Sequence, residues 1–239
     1  MRLSGKIAVI TGAGRGLGRA IAIAYAREGA TVVAAARSAD EIAETAWLVE
    51  ELGQRALPVQ VDIRKADQVE HLVTQTHTTF GVPHILVNSA GIGLRMPFQE
   101  TSEQMWDTVF ATLLKGMYLV TQRFLPYLIE QQYGNIINIG APLERIAVPG
   151  FAAYCSAKYG VEGLTRVLAK EVRRYGINVN LLHPGGFANT RMVRETVPEA
   201  TKSLLPTDSI AAAAVALAAQ PPRGKTGQVV DAQAWEAAA

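Results

Sequence analysis

The chain has 239 residues, a formal net charge of +2, 49% hydrophobic and 18% charged residues, and a single cysteine, Cys155. These totals allow one α/β domain over residues 1–239 with a large buried core, and they exclude a disulfide-stapled scaffold. Lysine and arginine are scattered, so no nucleic-acid footprint is expected, and no apolar run is long enough for a signal peptide or a membrane span. With one cysteine, the expectation is a cytoplasmic protein.

Ile7-Ala8-Val9-Ile10, between Lys6 and Thr11, reads as a strand buried on both faces. A turn follows, Gly12-Ala13-Gly14-Arg15-Gly16-Leu17-Gly18, and Arg19–Glu28 reads as a helix. Strand, glycine turn and helix N-terminus together leave unpaired amides and the positive end of the helix dipole facing an anion. Gly12 permits the sharp turn, Gly16 a close backbone approach to a pyrophosphate, and Gly18 tight packing of helix on strand. The spacing is G-x-x-x-G-x-G; its place between a strand and a helix argues against a mere tight loop.

Strand and helix patterns then alternate. Strands are expected at Thr31–Ala35, Ala56–Val61, Ile85–Val87, Asn135–Ile139, Asn178–Leu182 and Gln228–Asp231. Helices are expected at Asp40–Leu52, Asp67–Phe80, Ser102–Gln132, Ala152–Tyr175 and Ser209–Ala219, whereas Phe187–Pro206 looks irregular or weakly helical. The alternation predicts an α/β fold, a Rossmann-type, doubly wound, seven-stranded parallel sheet in one domain.

At the end of the second strand an acidic residue would accept hydrogen bonds from a ribose 2′-hydroxyl and favour NAD. The chain has Ala36 there, followed by Arg37, and Arg15 could point into the same region. Two guanidiniums and no carboxylate suit a 2′-phosphate, so the cofactor expected is NADP(H); a solvated Arg37 is the plain alternative. Asp62, ending the third strand, could accept from an adenine amino group, cap the next helix, or do both.

Tyr154-Cys155-Ser156-Ala157-Lys158 opens the helix after the fifth strand, and its Tyr and Lys share one face at i and i+4. A phenol with a pKa of about 10 is expected to be drawn down by the neighbouring ammonium toward acid–base work near neutrality. Alone, Y-x-x-x-K is common; with T-G-x-x-x-G-x-G about 140 residues earlier it is specific. No metal-ligand spacing is present, His183 and the tryptophans Trp47, Trp106 and Trp235 read as packing residues, and Cys155 reads as a small buried residue on another helix face.

On Thr11–Gly18, Asp62, Asn88-Ser89-Ala90-Gly91, Tyr154 with Lys158, and Pro184-Gly185, the chain resembles the short-chain dehydrogenase/reductase family over nearly its whole length. It looks most like the single-domain branch that includes 3-oxoacyl-acyl-carrier-protein reductases. The resemblance implies strand order 3-2-1-4-5-6-7, a homo-oligomer (dimer or tetramer), and hydride transfer between nicotinamide and a carbonyl or alcohol carbon of a small molecule. It implies that Tyr154 is the proton donor and that Lys158 holds the nicotinamide ribose. Asn88, Ala90 and Gly91 would line the cofactor channel, with Pro184, Gly185 and Thr190 on the nicotinamide side. Leu17 and Ile63 complete the expected contacts, beside Gly12, Arg15, Gly16, Gly18, Arg37 and Asp62. The long helices Ser102–Gln132 and Ala152–Tyr175 would carry the subunit surface.

The departures are as informative. The family carries a serine thirteen residues before the tyrosine, where this chain has Ala141. Its helix asparagine, three residues before the glycine of N-x-x-G, corresponds to Leu113. Ser89 replaces the second asparagine of N-N-A-G, and one extra residue separates Pro184 from Thr190. Three explanations stay open: a slow or specialised reductase in which the substrate or another side chain supplies the missing donor, a nucleotide-binding scaffold with little or no turnover, or a substitution introduced at position 141. The substrate wall is expected from Ile92–Met96, Pro142–Arg145 and a lid over Phe187–Pro206 hinged at Gly185-Gly186. Arg95, Arg145, Arg191 and Arg194 could receive an anion or be solvated loop arginines. Glu144 could replace the missing polar group or lie at the surface.

Overall fold

The computed structural model describes residues 1–142 and 147–235. Seven strands form one parallel sheet: β1 (Ile7–Thr11), β2 (Thr31–Ala36), β3 (Ala56–Gln60), β4 (Ile85–Asn88), β5 (Gly134–Ile139), β6 (Ile177–His183) and β7 (Val229–Asp231). Their order is β3-β2-β1-β4-β5-β6-β7, every neighbouring pair parallel, with the order reversing between β1 and β4. Parallel neighbours need crossovers, and the helices supply them: α1 (Gly16–Arg27), α2 (Ala39–Glu50), α3 (Ala66–Phe80), α4 (Glu103–Phe110), α5 (Gly116–Glu130), α6 (Ala152–Val172), α7 (Arg191–Thr196) and α8 (Ala211–Ala218).

The strands are continuously apolar because both faces are covered. Ile10, Val87 and Ile137 point to one side, onto Ile21 and Tyr25 of α1 and Leu217 of α8. Val9, Leu86 and Ile136 point to the other, onto Leu72 of α3, Phe124 of α5 and Leu168 of α6. The buried Tyr25 hydroxyl donates to the Ala214 carbonyl at 3.0 Å and pins α1 to α8.

The helix expected over Ser102–Gln132 is one helical run from Glu103 to Glu130, with a π turn over Ala111–Lys115 between α4 and α5. Ser102 caps it by accepting from the Met105 amide at 3.2 Å. Phe187–Pro206 contains α7, capped by Thr190, followed by a 3₁₀ stretch over Pro198–Ser203. Trp106 stacks on Phe110 with centroids 4.9 Å apart, and Trp235 packs on the α1–α8 side of the core. Trp47 departs from its expected packing role: it is 56% exposed, because it lies on the outward face of α2 while Ile42, Ala46 and Val49 face the sheet.

Candidate active site

The site lies beyond the C-terminal ends of the strands, at the point where the sheet order reverses. β1 ends in Thr11, whose hydroxyl accepts from the amides of Ser89 (3.2 Å) and Ala90 (3.3 Å). That joins the turn after β1 to the turn after β4. Gly12 has φ +68°, and a Cβ on it would stand 2.7 Å from the Ala90 Cα. A Cβ on Gly18 would stand 2.2 Å from the Gly12 carbonyl oxygen, so helix and turn pack as the spacing predicts. α1 starts at Gly16, earlier than expected, with no side-chain cap at Arg15 and no acidic residue in its first turn. Its leading amides are therefore available to an anion.

Arg19 and Thr45 brace this turn, and neither stood out in the sequence. Arg19 pairs with Glu44 at 2.7 Å, donates to the carbonyls of Gly14 and Glu41, and donates to Thr45 at 3.1 Å. Thr45 in turn donates to the Ala13 carbonyl at 2.9 Å. Apart from Arg19 to Gly14, these contacts bridge residues 22 to 32 positions apart and leave no periodic signal.

At the nucleotide-selecting end the expectation of two guanidiniums and no carboxylate needs correction. Glu41, from the first turn of α2, pairs with Arg15 at 2.8 Å. Arg64 adds a third guanidinium and grips Asp62 with two parallel bonds, Nε–Oδ1 at 2.9 Å and Nη2–Oδ2 at 2.6 Å. Arg64, and more weakly Arg37, hold the Asp62 carboxyl below its ordinary range. Asp62 does not cap α3, whose N-cap is Lys65. Arg37 makes no ion pair among the described residues and stands exposed at the end of β2.

At the other end, α6 presents Tyr154 and Lys158, 8% and 7% exposed. Lys158 Nζ donates to the Ile139 carbonyl at 2.7 Å and lies 5.8 Å from the centre of the Tyr154 ring. Burial pulls the ammonium down from 10.5 to about 8. The phenol is not drawn down as expected: its burial pushes it upward, aided by Cys155, because desolvating a phenolate outweighs an ammonium at that distance. The Tyr154 hydroxyl has no hydrogen-bond partner among the described residues. Cys155, half-buried, packs at the edge of the same apolar cluster. Ala141 and Leu113, both buried, belong to that cluster too, and Leu113 sits inside the π turn.

One cavity of about 610 Å³ joins these groups. Gly12, Arg15, Gly16, Leu17, Gly18, Arg37, Asp62, Ile63, Ala90, Gly91, Leu113, Ala141, Tyr154, Lys158, Pro184 and Thr190 all line it. Asn88 and Gly185 stand behind the lining. Asn88 donates to Asn138 (2.8 Å) and Thr121 (3.0 Å) inside the sheet. Gly185 packs toward the end of β7, where a Cβ would meet Asp231 Oδ1 at 2.2 Å. Glycine cradle, open amides and an elongated cavity fit a dinucleotide.

The model of the short chain dehydrogenase family matches residues 6–201. The chain belongs to that family. A 3-oxoacyl-acyl-carrier-protein reductase from Thermotoga maritima is 36% identical over 199 residues, 83% of this chain and 80% of the relative. A metagenomic short-chain oxidoreductase in complex with NADP is 31% identical, with a TM-score of 0.85, covering 97% of this chain and 98% of that one. Carveol dehydrogenase from Mycobacterium avium in complex with NAD is 28% identical, with a TM-score of 0.89 and the same coverage. This short-chain dehydrogenase is thus an oxidoreductase-family protein with a nicotinamide-cofactor fold.

In this short-chain dehydrogenase three of the arginines expected at the substrate rim, Arg95, Arg191 and Arg194, are engaged. Arg95 pairs with Glu199, Arg191 with Glu195 at 2.7 Å, and Arg194 donates to Asn189. His183 is buried, and its Nδ1 accepts from the Gly185 amide at 3.2 Å. Leu143, Glu144 and Arg145 lie outside the described residues. Among those described, no helix is long and apolar enough to cross a membrane.

Proposed function

We propose that this short-chain dehydrogenase is an NADP(H)-dependent oxidoreductase that interconverts a carbonyl and an alcohol on a small molecule. The observation that carries the reading is the Tyr154 hydroxyl, which has no hydrogen-bond partner among the described residues, sits in a buried apolar setting and opens on the same cavity as the glycine turn. The nicotinamide, when bound, supplies hydride to the carbonyl carbon or takes it from the alcohol carbon. Tyr154 hands its proton to the carbonyl oxygen in reduction and takes one back in oxidation. Burial keeps the phenol protonated at neutral pH, the state that reduction needs. Lys158, oriented by the Ile139 carbonyl, offers its remaining N–H donors to the nicotinamide ribose. Gly12, Gly16, Leu17 and Gly18 cradle the phosphates, Asp62 and Ile63 meet the adenine, and Ala90, Gly91, Pro184 and Thr190 flank the nicotinamide half.

NADP(H) rather than NAD(H) is supported by the charge at the β2 and β3 ends. Three guanidiniums, Arg15, Arg37 and Arg64, face two carboxylates, Glu41 and Asp62, and Arg37 is uncommitted among the described residues. A 2′-phosphate satisfies that excess through bidentate donors. The NADP-bound relative is consistent with this choice. A cytoplasmic location and a homo-oligomer are part of the same reading; exposed Tyr118, Tyr159 and Val167 on α5 and α6 support the oligomer, and size-exclusion chromatography reads it.

Ala141 leaves Tyr154 without a second hydroxyl donor at the substrate oxygen, so turnover is expected to be slow rather than absent. The test is NADPH oxidation with a panel of aliphatic, cyclic and aromatic ketones. Tyr154→Phe is expected to lower kcat by about 10²-fold or more while NADPH affinity stays within about twofold. Tight NADPH binding with no turnover on any ketone would replace the enzyme by a nucleotide-binding scaffold.

A further inference from the structure

On the reading just given, cofactor and substrate share one cavity, and the wall beyond Tyr154 describes what the substrate is. Ile92, Leu113, Phe151, Met192, Val193 and Val197 bound that end and pack into one apolar cluster with Tyr154. Ala141 adds a methyl group to the same wall. Among the described residues, the side-chain polar atoms there, apart from the Tyr154 hydroxyl and the spare Lys158 donors, are already committed. Thr196 Oγ1 donates to the Met192 carbonyl at 2.9 Å, and Lys158 is held by Ile139. Among the described residues, the rim cations Arg95 and Arg191 are committed as well, to Glu199 and Glu195. An anionic group placed here would lose its water and meet hydrocarbon, which is among the costliest transfers a site can impose.

The roof adds a second constraint. The loop after β4 closes against α7: a Cβ on Gly93 would stand 2.7 Å from Thr196 Cγ2 and 3.0 Å from Met192 Cγ. The same loop is fixed below, where the Met96 amide donates to the Gly150 carbonyl at 2.9 Å. Arg95 ties the two sides, lying 5.7 Å over the Phe151 ring while it pairs with Glu199. A substrate trailing a long polar arm would have to part this seam. A free small molecule need not.

We propose that the substrate is an untethered, uncharged and largely apolar ketone, or the matching secondary alcohol, and neither a keto acid nor a ketone carried as a thioester on a long polar arm. The proposal rests on the site reading above, but binding tests it separately from turnover. Wild-type protein with NADP is titrated calorimetrically with acetophenone, cyclohexanone, acetoacetate and acetoacetyl-coenzyme A, and the same four are assayed as substrates with NADPH. An apolar ketone is expected to bind, and to exceed both anions in kcat/KM by about 100-fold or more. Binding of acetoacetate or the thioester as tight as that of the ketones, or no binding of either ketone, overturns the proposal. Selective binding of the ketones without NADPH oxidation upholds the substrate class and removes the hydride-transfer reading instead.

Discussion

Lys158 carries a charge into a place that resists it. Its pKa falls from 10.5 to about 8 because burial penalises the ammonium. The sign of the stability effect follows. Below about pH 8 both folded and unfolded states hold the proton, and the folded state bears the full penalty. Between about 8 and 10.5 the unfolded chain keeps a proton that the folded one has released, so stability rises with pH. Tyr154, pushed upward, stays protonated in both states below about 10 and does not oppose this. Wild type is therefore expected to gain about 2 kcal/mol relative to Lys158→Met between pH 7 and 9.5, read by urea unfolding at both pH values. A flat difference would mean the ammonium is better solvated than its burial implies.

Ala141 gives a second prediction at this scale. Restoring the hydroxyl in Ala141→Ser adds a donor beside the position where oxyanion charge develops. Losing one such donor costs about 10²–10³ in rate, and a gain of about 10-fold or more in kcat is expected, with KM little changed. Single residues differ in how legible they were. Tyr154 and Lys158 could be read because helical spacing alone puts them on one face. Glu41, Arg64 and Arg19 could not, since their roles arise from partners brought in by the fold. The expected lowering of the Tyr154 pKa failed for a related reason: sequence shows the ammonium's proximity but not how completely the phenol is desolvated.

Elements were legible where burial imposes a pattern. Strands covered on both faces declare themselves as apolar runs, and all seven strands were found to within two residues at each end. The π turn over Ala111–Lys115 was invisible, because one added residue shifts the apolar stripe without breaking it. What fixes α6 over the sheet was equally hidden. Asn138, on β5, accepts from Asn88 at 2.8 Å and donates to Thr165 of α6 at 2.9 Å, and Thr165 donates to the Val161 carbonyl at 2.7 Å. Every member is buried, so the chain of bonds sets where Tyr154 and Lys158 sit relative to the cavity. Asn138→Ala leaves the Asn88 amide short of an acceptor and Thr165 short of a donor. It is expected to cost about 2 kcal/mol in urea unfolding and to lower kcat more than NADPH affinity, a split that uniform destabilisation would not produce.

At the scale of the whole molecule, the proposed cofactor site draws on the ends of β1, β2, β3, β4, β5 and β6, so filling it restrains most of the sheet at once. A ligand that binds only the folded state at 100 times its Kd adds about 2.7 kcal/mol. For a domain of this size, that raises Tm by about 5–10 °C. NADPH is expected to produce such a shift, and NADH at the same concentration a clearly smaller one, because on the proposed reading Arg15 and Arg37 receive the 2′-phosphate. The double variant Arg15→Ala, Arg37→Ala should lose the difference between the two cofactors while keeping the NADH shift, since the glycine cradle, Lys158 and the nicotinamide half are untouched. Equal shifts in wild type would move the preference to NAD and make Glu41, now paired with Arg15, the acceptor for the ribose hydroxyl.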